Sequence, residues 1–396
     1  MIYSTKARLL AAGAALSLFA GPALALDGND VVAKLNKALS IQGGAGLSAE
    51  SVTTNGSDVT LNKAKFTAPD GKQSLQLGTI KMLGIEEDSG SYYVDKVSFD
   101  NVNVTEEKMT FVASDMSISG LSIPADANGN DMDSVLLYEG AHVGKISATL
   151  DGKPAFSIDS SDATLEVADD NSSIDFDVKM NGIKGDLTLV DEPEAKDTIQ
   201  QLGLTSIDGK VSMQGSWELK DGTLDIEEYA FDFAKVGKLN IALSISGYTL
   251  DFIKSLNETT KTMAADPNNQ EAQQAAGLAM LGLMQRLTFN SAEIRFDDAG
   301  ITKKGLEYAA KKQNTTADQL TQMLKGMTPM MLAQLNVPEL QNMVATAVNT
   351  YLDKPGSMTI SAEPKEGVPF PMIMGAAMGA PNTLPTVLGV TVKANN

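Results

Sequence analysis

The sequence predicts an α+β fold that is mainly antiparallel β: a long curved sheet with a C-terminal helical block packing on one face. Apolar and polar residues alternate in most segments from about residue 45 to 250, which is typical of antiparallel strands with one buried face. Asn-Gly and Asp-Gly pairs, strong hairpin signals, separate many of these segments. Beyond residue 250 the apolar spacing becomes mostly helical.

The first 25 residues have the layout of a secretory signal peptide. Lys6 and Arg8 precede an uncharged stretch from Leu9 to Ala20, and Ala23-Leu24-Ala25 forms a small-x-small cleavage site. The uncharged stretch is about a dozen residues long, whereas a membrane-spanning helix needs roughly twenty. We therefore expect export to the periplasm, cleavage after Ala25 and no transmembrane helix in the mature chain. An uncleaved N-terminal anchor is the alternative.

The charge of the chain limits its partners. It has 31 basic and 50 acidic residues, a formal net charge of -19, and loss of the signal segment makes it more negative. Such a chain repels nucleic acid and anionic membranes at long range, so no nucleic-acid partner is expected. The absence of Cys means that the exported chain must fold on its core, without disulfides.

The region from 26 to 250 is predicted to be an antiparallel β-rich domain. Its alternating segments include Val59 and Leu61, then Leu75 and Leu77, then Val97 and Phe99. The turn signals are Asn55-Gly56, Asp70-Gly71, Asp151-Gly152, Asn181-Gly182, Asp208-Gly209 and Asp221-Gly222. Short strands joined by such turns predict successive hairpins.

The segment from 221 to 248 contains the candidate ligand-binding residues. Its apolar positions alternate, change parity at Glu227-Glu228 and then resume, which predicts a β-bulge that bends the sheet. With the strand "LTFNSAEIRFDD", it supplies the predicted apolar groove: Tyr229, Phe231, Phe233, Leu239, Ile241, Leu243, Phe289 and Phe296.

The region from 251 to 396 is predicted to be a helical block with strands that return to the sheet. Two helices separated near Asp266-Pro267-Asn268-Asn269 come first, and the strand "LTFNSAEIRFDD" follows them. Asp298 is expected to cap the next helix, and further helices cover "TTADQLTQMLKGMTPMMLAQLN" and "VPELQNMVATAVNTYLDKPG". The strand-like segments "SMTISAEP" and "TVLGVTVKA" end the chain.

The apolar face needs a cover, and these helices are its obvious source. They are short for the number of strands, so we expect part of the face to form an open groove. Twelve of the nineteen Met residues lie beyond residue 258, where core packing is expected and an adaptable binding surface is the alternative. The uncharged stretch from Gly367 to Val392 contains four Pro residues, which predict buried or groove-lining loop and a short helix; a peripheral membrane contact is left open.

Catalytic signals are weak. His142 is the only histidine, and without Cys the usual zinc sites are excluded. The oxygen-rich loop from Asp126 to Asp133 lacks the Gly and Glu positions of an EF-hand, so a solvated turn is expected, with calcium as the alternative. Trp217 is expected to pack on the sheet. We predict no enzyme activity, no catalytic residue, no metal and no cofactor.

The strand-rich segments and the junction Asp297-Asp298-Ala299-Gly300 resemble the AsmA-like envelope proteins of Gram-negative bacteria and related uncharacterised periplasmic proteins. The resemblance covers roughly residues 45 to 310 and lies in pattern, not in an invariant motif. It implies a curved antiparallel sheet with an apolar inner surface and a role in moving or organising envelope lipids. AsmA-like proteins usually keep an N-terminal membrane helix. This chain differs in that its N-terminal segment is expected to be cleaved. No catalytic residue carries over.

Three functions follow as hypotheses. The first is a non-enzymatic periplasmic protein that binds or shields lipid acyl chains on the apolar face. The second is a structural or protein-interaction module of the envelope, without a small-molecule ligand. The third, a hydrolase of a sugar or peptide polymer, is motivated only by exposed carboxylates and His142.

Overall fold

The fold is α+β, with a large open antiparallel sheet of twenty strands and helices concentrated towards the C-terminus. The computed structural model describes residues 26–42, 46–68, 73–129, 131–265, 269–333 and 337–396. The predicted signal peptide and the Asp70-Gly71 turn lie outside these ranges. The predicted fold class is confirmed.

The first thirteen strands build one half of the sheet. They are β1 (Gly46–Ser48), β2 (Ser51–Asn55), β3 (Asp58–Thr67), β4 (Ser74–Asp88), β5 (Ser91–Phe99), β6 (Val102–Glu106), β7 (Met109–Ala113), β8 (Met116–Ile123), β9 (Gly140–Val143), β10 (Ile146–Leu150), β11 (Lys153–Ile158), β12 (Ser160–Val167) and β13 (Ser173–Asp186).

The other half of the sheet alternates with helices. Its strands are β14 (Ser206–Glu218), β15 (Thr223–Phe233), β16 (Gly237–Ser246), β17 (Thr288–Asp298), β18 (Ser357–Ala362), β19 (Val368–Pro369) and β20 (Val390–Ala394). The α-helices are α1 (Gly28–Gln42), α2 (Pro193–Leu202), α3 (Leu250–Ala265), α4 (Gln270–Met284), α5 (Ile301–Lys312), α6 (Ala317–Ala333), α7 (Pro338–Asp353), α8 (Phe370–Gly379) and α9 (Leu384–Val387).

The strands form an up-and-down meander in which neighbours in sequence are neighbours in space. Hydrogen-bonded pairs run through β3, β4, β5, β8, β9, β12, β13, β14, β15, β16, β17, β18 and β20, and every pair is antiparallel. The short strands β6, β7, β10 and β11 continue β5, β8, β9 and β12 beyond an irregularity and pair with one another. Short connections explain this order in the first half of the sheet, whereas helices connect β13 to β14, β16 to β17 and β17 to β18.

A row of irregularities crosses the sheet from β3 to β13. In β13, for example, the register shifts by one residue at Asn181-Gly182, so Met180, opposite Val211, and Ile183, opposite Gly209, lie on the same face. Neighbouring side chains bind the backbone amides that the pairing leaves free: Asp100 Oδ2 accepts from Thr79 N at 2.6 Å, and Asn101 Oδ1 accepts from Asp115 N at 3.2 Å. Bulges increase local twist and bend a sheet.

The principal core lies between α1 and the first half of the sheet. Val31, Leu35 and Ala38 of α1 are at most 5% exposed and lie on one helical face. The cluster that includes Val31 and Leu35 also contains buried residues of β3, β4, β5 and β8: Val59, Leu61, Ala64, Ile80, Met82, Ile85, Tyr92, Val94, Val97, Leu121 and Ile123. A single helix therefore seals this part of the apolar face.

Helix α1 and helix α2 lie in the region from 26 to 250 where the alternation predicts strands. The i, i+4, i+7 spacing of the buried α1 residues is a helical signal. In α2, Pro193 stands at the start, and Gly203 ends the helix in the left-handed conformation. Both signals are local and lie beside the stronger strand pattern.

The C-terminal elements agree with the sequence. Helices α3 and α4 are separate, although the predicted break at 266–268 lies outside the described residues. Asp298 caps α5 as predicted, because its carboxylate accepts from Gly300 N at 2.7 Å and Thr302 N at 2.9 Å. The strands predicted at "SMTISAEP" and "TVLGVTVKA" are β18 and β20, and both join the main sheet.

Two turn predictions are wrong. Asn55-Gly56, Asp151-Gly152 and Asp221-Gly222 do lie between paired strands. Asn181-Gly182 instead forms the irregularity within β13, with Gly182 at φ 63°. Asp208-Gly209 lies inside β14, where Gly209 pairs with Phe233. The sequence signal for a hairpin is thus also the signal for a bulge or for close approach of a neighbouring side chain.

The expectation of core packing is wrong for many of the late Met residues. The side chains of Met330 and Met331 in α6 are each 65% exposed, as are 59% of Met372 and 84% of Met378 in α8. The stretch from Gly367 to Val392 does contain a short helix, yet no residue of α8 is buried. Because these helices pack mainly on each other and on strand edges, their outer faces stay uncovered.

Candidate functional site

The second half of the sheet presents an extended apolar face, built by strand register. Directly opposed residues on β13 to β18 point to the same side and form cross-strand rows. We call this surface the apolar floor. Its rows are Met180, Val211, Phe231, Leu239, Phe296 and Met358; Val178, Met213, Tyr229, Ile241, Ile294 and Ile360; Phe176, Ile226, Leu243, Ala292 and Ala362; and Ile174, Trp217, Leu224, Ile245 and Phe289, with Phe233 at one end.

All eight predicted groove residues lie on the apolar floor. The structure brings them together through direct pairs such as Tyr229 with Ile241 and Phe231 with Leu239. Each of the eight is half-buried. The parity change predicted at Glu227-Glu228 is confirmed, since the register shifts between Ile226 and Tyr229 and keeps both residues on the floor.

The sequence did not identify the most exposed part of the floor. Ile294 and Ile360 are directly opposed across β17 and β18 and are 47% and 46% exposed. Ile294 alternates with the predicted Phe296, so its inclusion was possible from spacing alone. The pairing with Ile360 was not visible, because β18 joins β17 only after three intervening helices.

The opposite face of the same strands is polar and internally neutralised. Glu228, at the bulge, accepts hydrogen bonds from Ser212 Oγ at 2.6 Å and Lys238 Nζ at 3.0 Å. These contacts, with Ser212 the larger cause, hold the pKa of the Glu228 carboxyl below its usual range. The difference between the two faces is therefore strong: one side carries fixed charge pairs, and the other carries hydrocarbon.

Three phenylalanine rings lie over glycines of the floor. A Cβ atom added to Gly215 would lie 2.7 Å from Cζ of Phe176, and one added to Gly237 would lie 2.7 Å from the ring of Phe296. Phe233 covers Gly209, its direct partner, in the same way. The rings thus occupy the space that a side chain at each glycine would need. Aromatic cover of strand glycines also stabilises a sheet.

The two ends of the floor differ. At one end Trp217 donates from Nε1 to the carbonyl of Tyr248 at 2.8 Å, and Tyr248 packs on Phe252 with ring centroids 5.4 Å apart. This confirms that Trp217 packs on the sheet. At the other end lies a cavity of about 210 Å³ lined by Leu187, Leu204, Ser206, Ile207, Phe233, Ala234 and Val236. Its lining is almost wholly apolar.

The helices cover the floor only in part. The cluster of Phe252, Leu283 and Leu287 joins α3 and α4 beside Trp217 and Tyr248. Helix α7 packs along β20, where a concavity of about 420 Å³ includes Thr346, Val392 and Ala394. Between these contacts, the middle of the floor remains half-buried. None of the helices in the described ranges is long and apolar enough to cross a membrane.

Comparison with protein families matches the C-terminal part of the chain. Residues 230–395 match the profile of a family described as "Uncharacterized protein". No curated protein matches the chain. The match spans β16 to β20 with α3 to α9 and therefore includes one half of the floor. Its description names no activity and no relation to AsmA-like proteins.

His142 lies on the polar face, away from the floor. Its Nδ1 is 2.6 Å from Asp162 Oδ1, and its Nε2 is 3.6 Å from Asp115 Oδ2. The hydrogen bond with His142 is the main cause that lowers the pKa of Asp162. Both ring nitrogens thus face carboxylates, an arrangement that orients the ring.

The first carboxylate of the oxygen-rich loop, that of Asp126, is hydrogen-bonded to other residues of the protein. Asp126 Oδ1 accepts from Lys37 Nζ at 2.8 Å and from the backbone and side-chain amides of Asn128 at 3.1 and 2.8 Å. Asn130, within the predicted loop, lies outside the described residues. In the part of the chain that the structure describes, no group of three or more acidic or histidine side chains is placed to hold a metal ion.

Proposed function

We propose that this chain is a non-enzymatic protein of the periplasm that binds or shields lipid acyl chains on the apolar floor. The observation that supports the proposal is the uncovered, cross-strand continuity of that surface, from Phe176 on β13 to Ile360 on β18. Burial of apolar surface gives roughly 25 cal/mol per Å², so an extended hydrocarbon chain gains substantially by lying on it.

The shape and chemistry of the floor favour a flexible hydrocarbon over a polar ligand. Ligand sites for polar molecules combine an apolar lining with a few placed donors and acceptors. Here the rows consist of aliphatic and aromatic side chains, and the rings of Phe176, Phe233 and Phe296 lie close to glycines of the strands. The cavity beside Phe233 gives the end of such a chain a place to bury.

The proposal is tested by binding. Protein purified from its own periplasm should carry lipid in native mass spectrometry and should take up a fluorescent fatty acid. Ile294→Glu, which places a carboxylate on the floor, should reduce uptake at least about tenfold, because a buried charge without a partner is costly. Ser291→Glu on the same strand is the matched control, since Ser291 pairs with Ser244 on the polar face. A lipid-free mass together with no uptake by the parent protein would exclude the proposal.

An envelope interaction module is the second candidate. The observation that favours it is the exposed apolar side of α6, which carries Met323, Met327, Met330 and Met331 at 40% exposure or more. Flexible thioethers are common on adaptable binding surfaces. Crosslinking in cells followed by pulldown distinguishes the candidates, because a stoichiometric protein partner without lipid supports the interaction module.

A further inference from the structure

Helices α4 and α8 form an uncharged apolar corner at the Trp217 end of the floor. Phe370, at the start of α8, packs against the cluster of Phe252, Leu283 and Leu287 at the end of α4, and its backbone N donates to the carbonyl of Leu287 at 3.0 Å. The outer sides of both helices are exposed: 70% of Leu278 and 50% of Leu281 in α4, and 59% of Met372 and 84% of Met378 in α8.

The composition of this corner differs from the rest of the chain. The protein has a net charge of -19, yet no charged residue lies between Glu271 and Arg286 or between Glu366 and Lys393. From Phe370 to Ala380 no side chain carries a hydrogen-bond donor or strong acceptor. Exposed apolar surface of this kind marks an interaction site, since water solvates it poorly.

We propose that the α4–α8 corner docks the protein on a neutral phospholipid membrane by inserting its exposed leucine and methionine side chains among the lipid chains. The core of a protein interface is enriched in aromatic residues, Met and Arg and is surrounded by a polar rim. The exposed residues of α8 are Pro, Met, Gly and Ala, so Met is the one enriched type among them, and no side chain from Phe370 to Ala380 supplies a polar rim. This composition suits a fluid hydrocarbon partner that needs no directional bonds. This proposal rests on the exposed corner and is independent of ligand binding on the floor.

The charge distribution selects the kind of membrane. Interfacial helices that bind anionic lipids carry Lys and Arg beside their apolar face, whereas the two uncharged segments carry none. The acidic body of the protein is repelled by an anionic surface. Docking should therefore be strongest on phosphatidylcholine vesicles, should change little with salt, and should weaken when anionic lipid is added.

Vesicle flotation tests the proposal with the full exported chain. The parent protein should float with phosphatidylcholine vesicles, and Leu278→Ser/Leu281→Ser and Met372→Ser/Met378→Ser should each weaken the apparent partition at least about tenfold. Met330→Ser/Met331→Ser on α6 is the matched control, because it removes two side chains of similar exposure elsewhere, and it should weaken partition less than about threefold. All substituted positions are exposed, so circular dichroism should show an unchanged fold.

Two results would overturn the docking proposal: no flotation of the parent protein, or an equal loss in the α6 control. Fatty-acid uptake without vesicles, measured on the same variants, keeps the two proposals apart. Uptake that is unchanged in variants that no longer float supports docking by the corner and binding by a different surface. Flotation without any uptake supports docking and counts against acyl-chain binding on the floor.

Discussion

Tyr92 Oη on β5 donates a 2.7 Å hydrogen bond to Asp30 Oδ2 in the first turn of α1. Lys34 Nζ contacts the same carboxylate oxygen at 2.7 Å, donates to the carbonyl of Gly90 at 2.7 Å and lies 4.9 Å from the centre of the Tyr92 ring. This network joins α1 to the sheet at the principal core.

Loss of the Tyr92 hydroxyl should destabilise the protein. Tyr92 is 5% exposed, and its hydrogen bond to a carboxylate should contribute about 1–2 kcal/mol to the free energy of unfolding. We expect Tyr92→Phe to lower the denaturation midpoint accordingly. Tyr93→Phe is the control, because the neighbouring hydroxyl contacts Glu139 at 3.1 Å in an exposed position. Equal losses of unfolding free energy in both variants would contradict the stabilising role assigned to the Tyr92 hydroxyl.

The same network should contribute to acid sensitivity. Lys34 is the larger and Tyr92 the next cause that holds the pKa of Asp30 below its ordinary value. A lowered folded-state pKa stabilises the protein above the unfolded-state pKa, and this stability is lost as pH falls through the folded-state pKa. We expect Asp30→Asn to lose stability at neutral pH and to show a smaller further loss below about pH 4.

Denaturation midpoints measured across the acid range test this expectation. Asp151→Asn is a suitable control, because the Asp151 carboxylate lies 3.5 Å from Lys108 Nζ in an exposed ion pair. Its midpoint should follow that of the parent protein at every pH. An Asp30→Asn variant with the full acid dependence of the parent protein would show that Asp30 does not titrate with folding.

The glycine beneath Phe176 should not tolerate a side chain. A Cβ at Gly215 would collide with the backbone carbonyl of Asp225 as well as with the ring of Phe176. We expect Gly215→Ala to lower the free energy of unfolding by about 2 kcal/mol or more. Gly305→Ala in α5 is the matched substitution, since no atom lies within 4 Å of its added Cβ, and it should stabilise the helix by about 0.5–1 kcal/mol. Chemical denaturation measures both changes.

The bulge at Glu227-Glu228 adds one residue to β15 relative to both neighbouring strands. Deletion of Glu227 removes this extra residue and should restore regular alternation, with Tyr229, Phe231 and Phe233 still on the floor and Glu228 still on the polar face. We expect the deletion variant to keep cooperative unfolding. Glu227→Ala keeps the bulge at an exposed position and should change the free energy of unfolding by less than about 0.5 kcal/mol. A deletion variant that loses cooperative unfolding would show that the fold requires the bend made by the bulge.

The alternation of the sequence predicted much of the sheet because strand periodicity is local. The eight groove residues, the bulge at Glu227-Glu228 and the cap at Asp298 were visible in this way, since each depends on residues adjacent in the chain. Helix α1 was overlooked although Val31, Leu35 and Ala38 have helical spacing, and α2 although Pro193 and Gly203 mark its ends. Both are isolated helices beside a dominant strand pattern.

The exposed residues of α8 show a different kind of error. An uncharged stretch predicts burial only if another element is available to cover it, and composition does not say whether one is. In the fold, Phe370 at the start of α8 packs on the cluster of Phe252, Leu283 and Leu287, whereas Met372 and Met378 remain exposed. Exposure depends on where the surrounding helices pack, which is a property of the whole chain.

By itself, the sequence determined which residues share a face of each strand, because side chains alternate across a strand with a period of two. The tertiary structure decided which strands stand side by side and therefore made Ile294 and Ile360 neighbours, across an interval that contains three helices. It also decided that Phe176, Phe233 and Phe296 lie close to glycines of the strands. Strand pairing, the position of these rings and the covering of the sheet by helices arise from contacts between residues far apart in the chain. Local periodicity carries no information about such contacts.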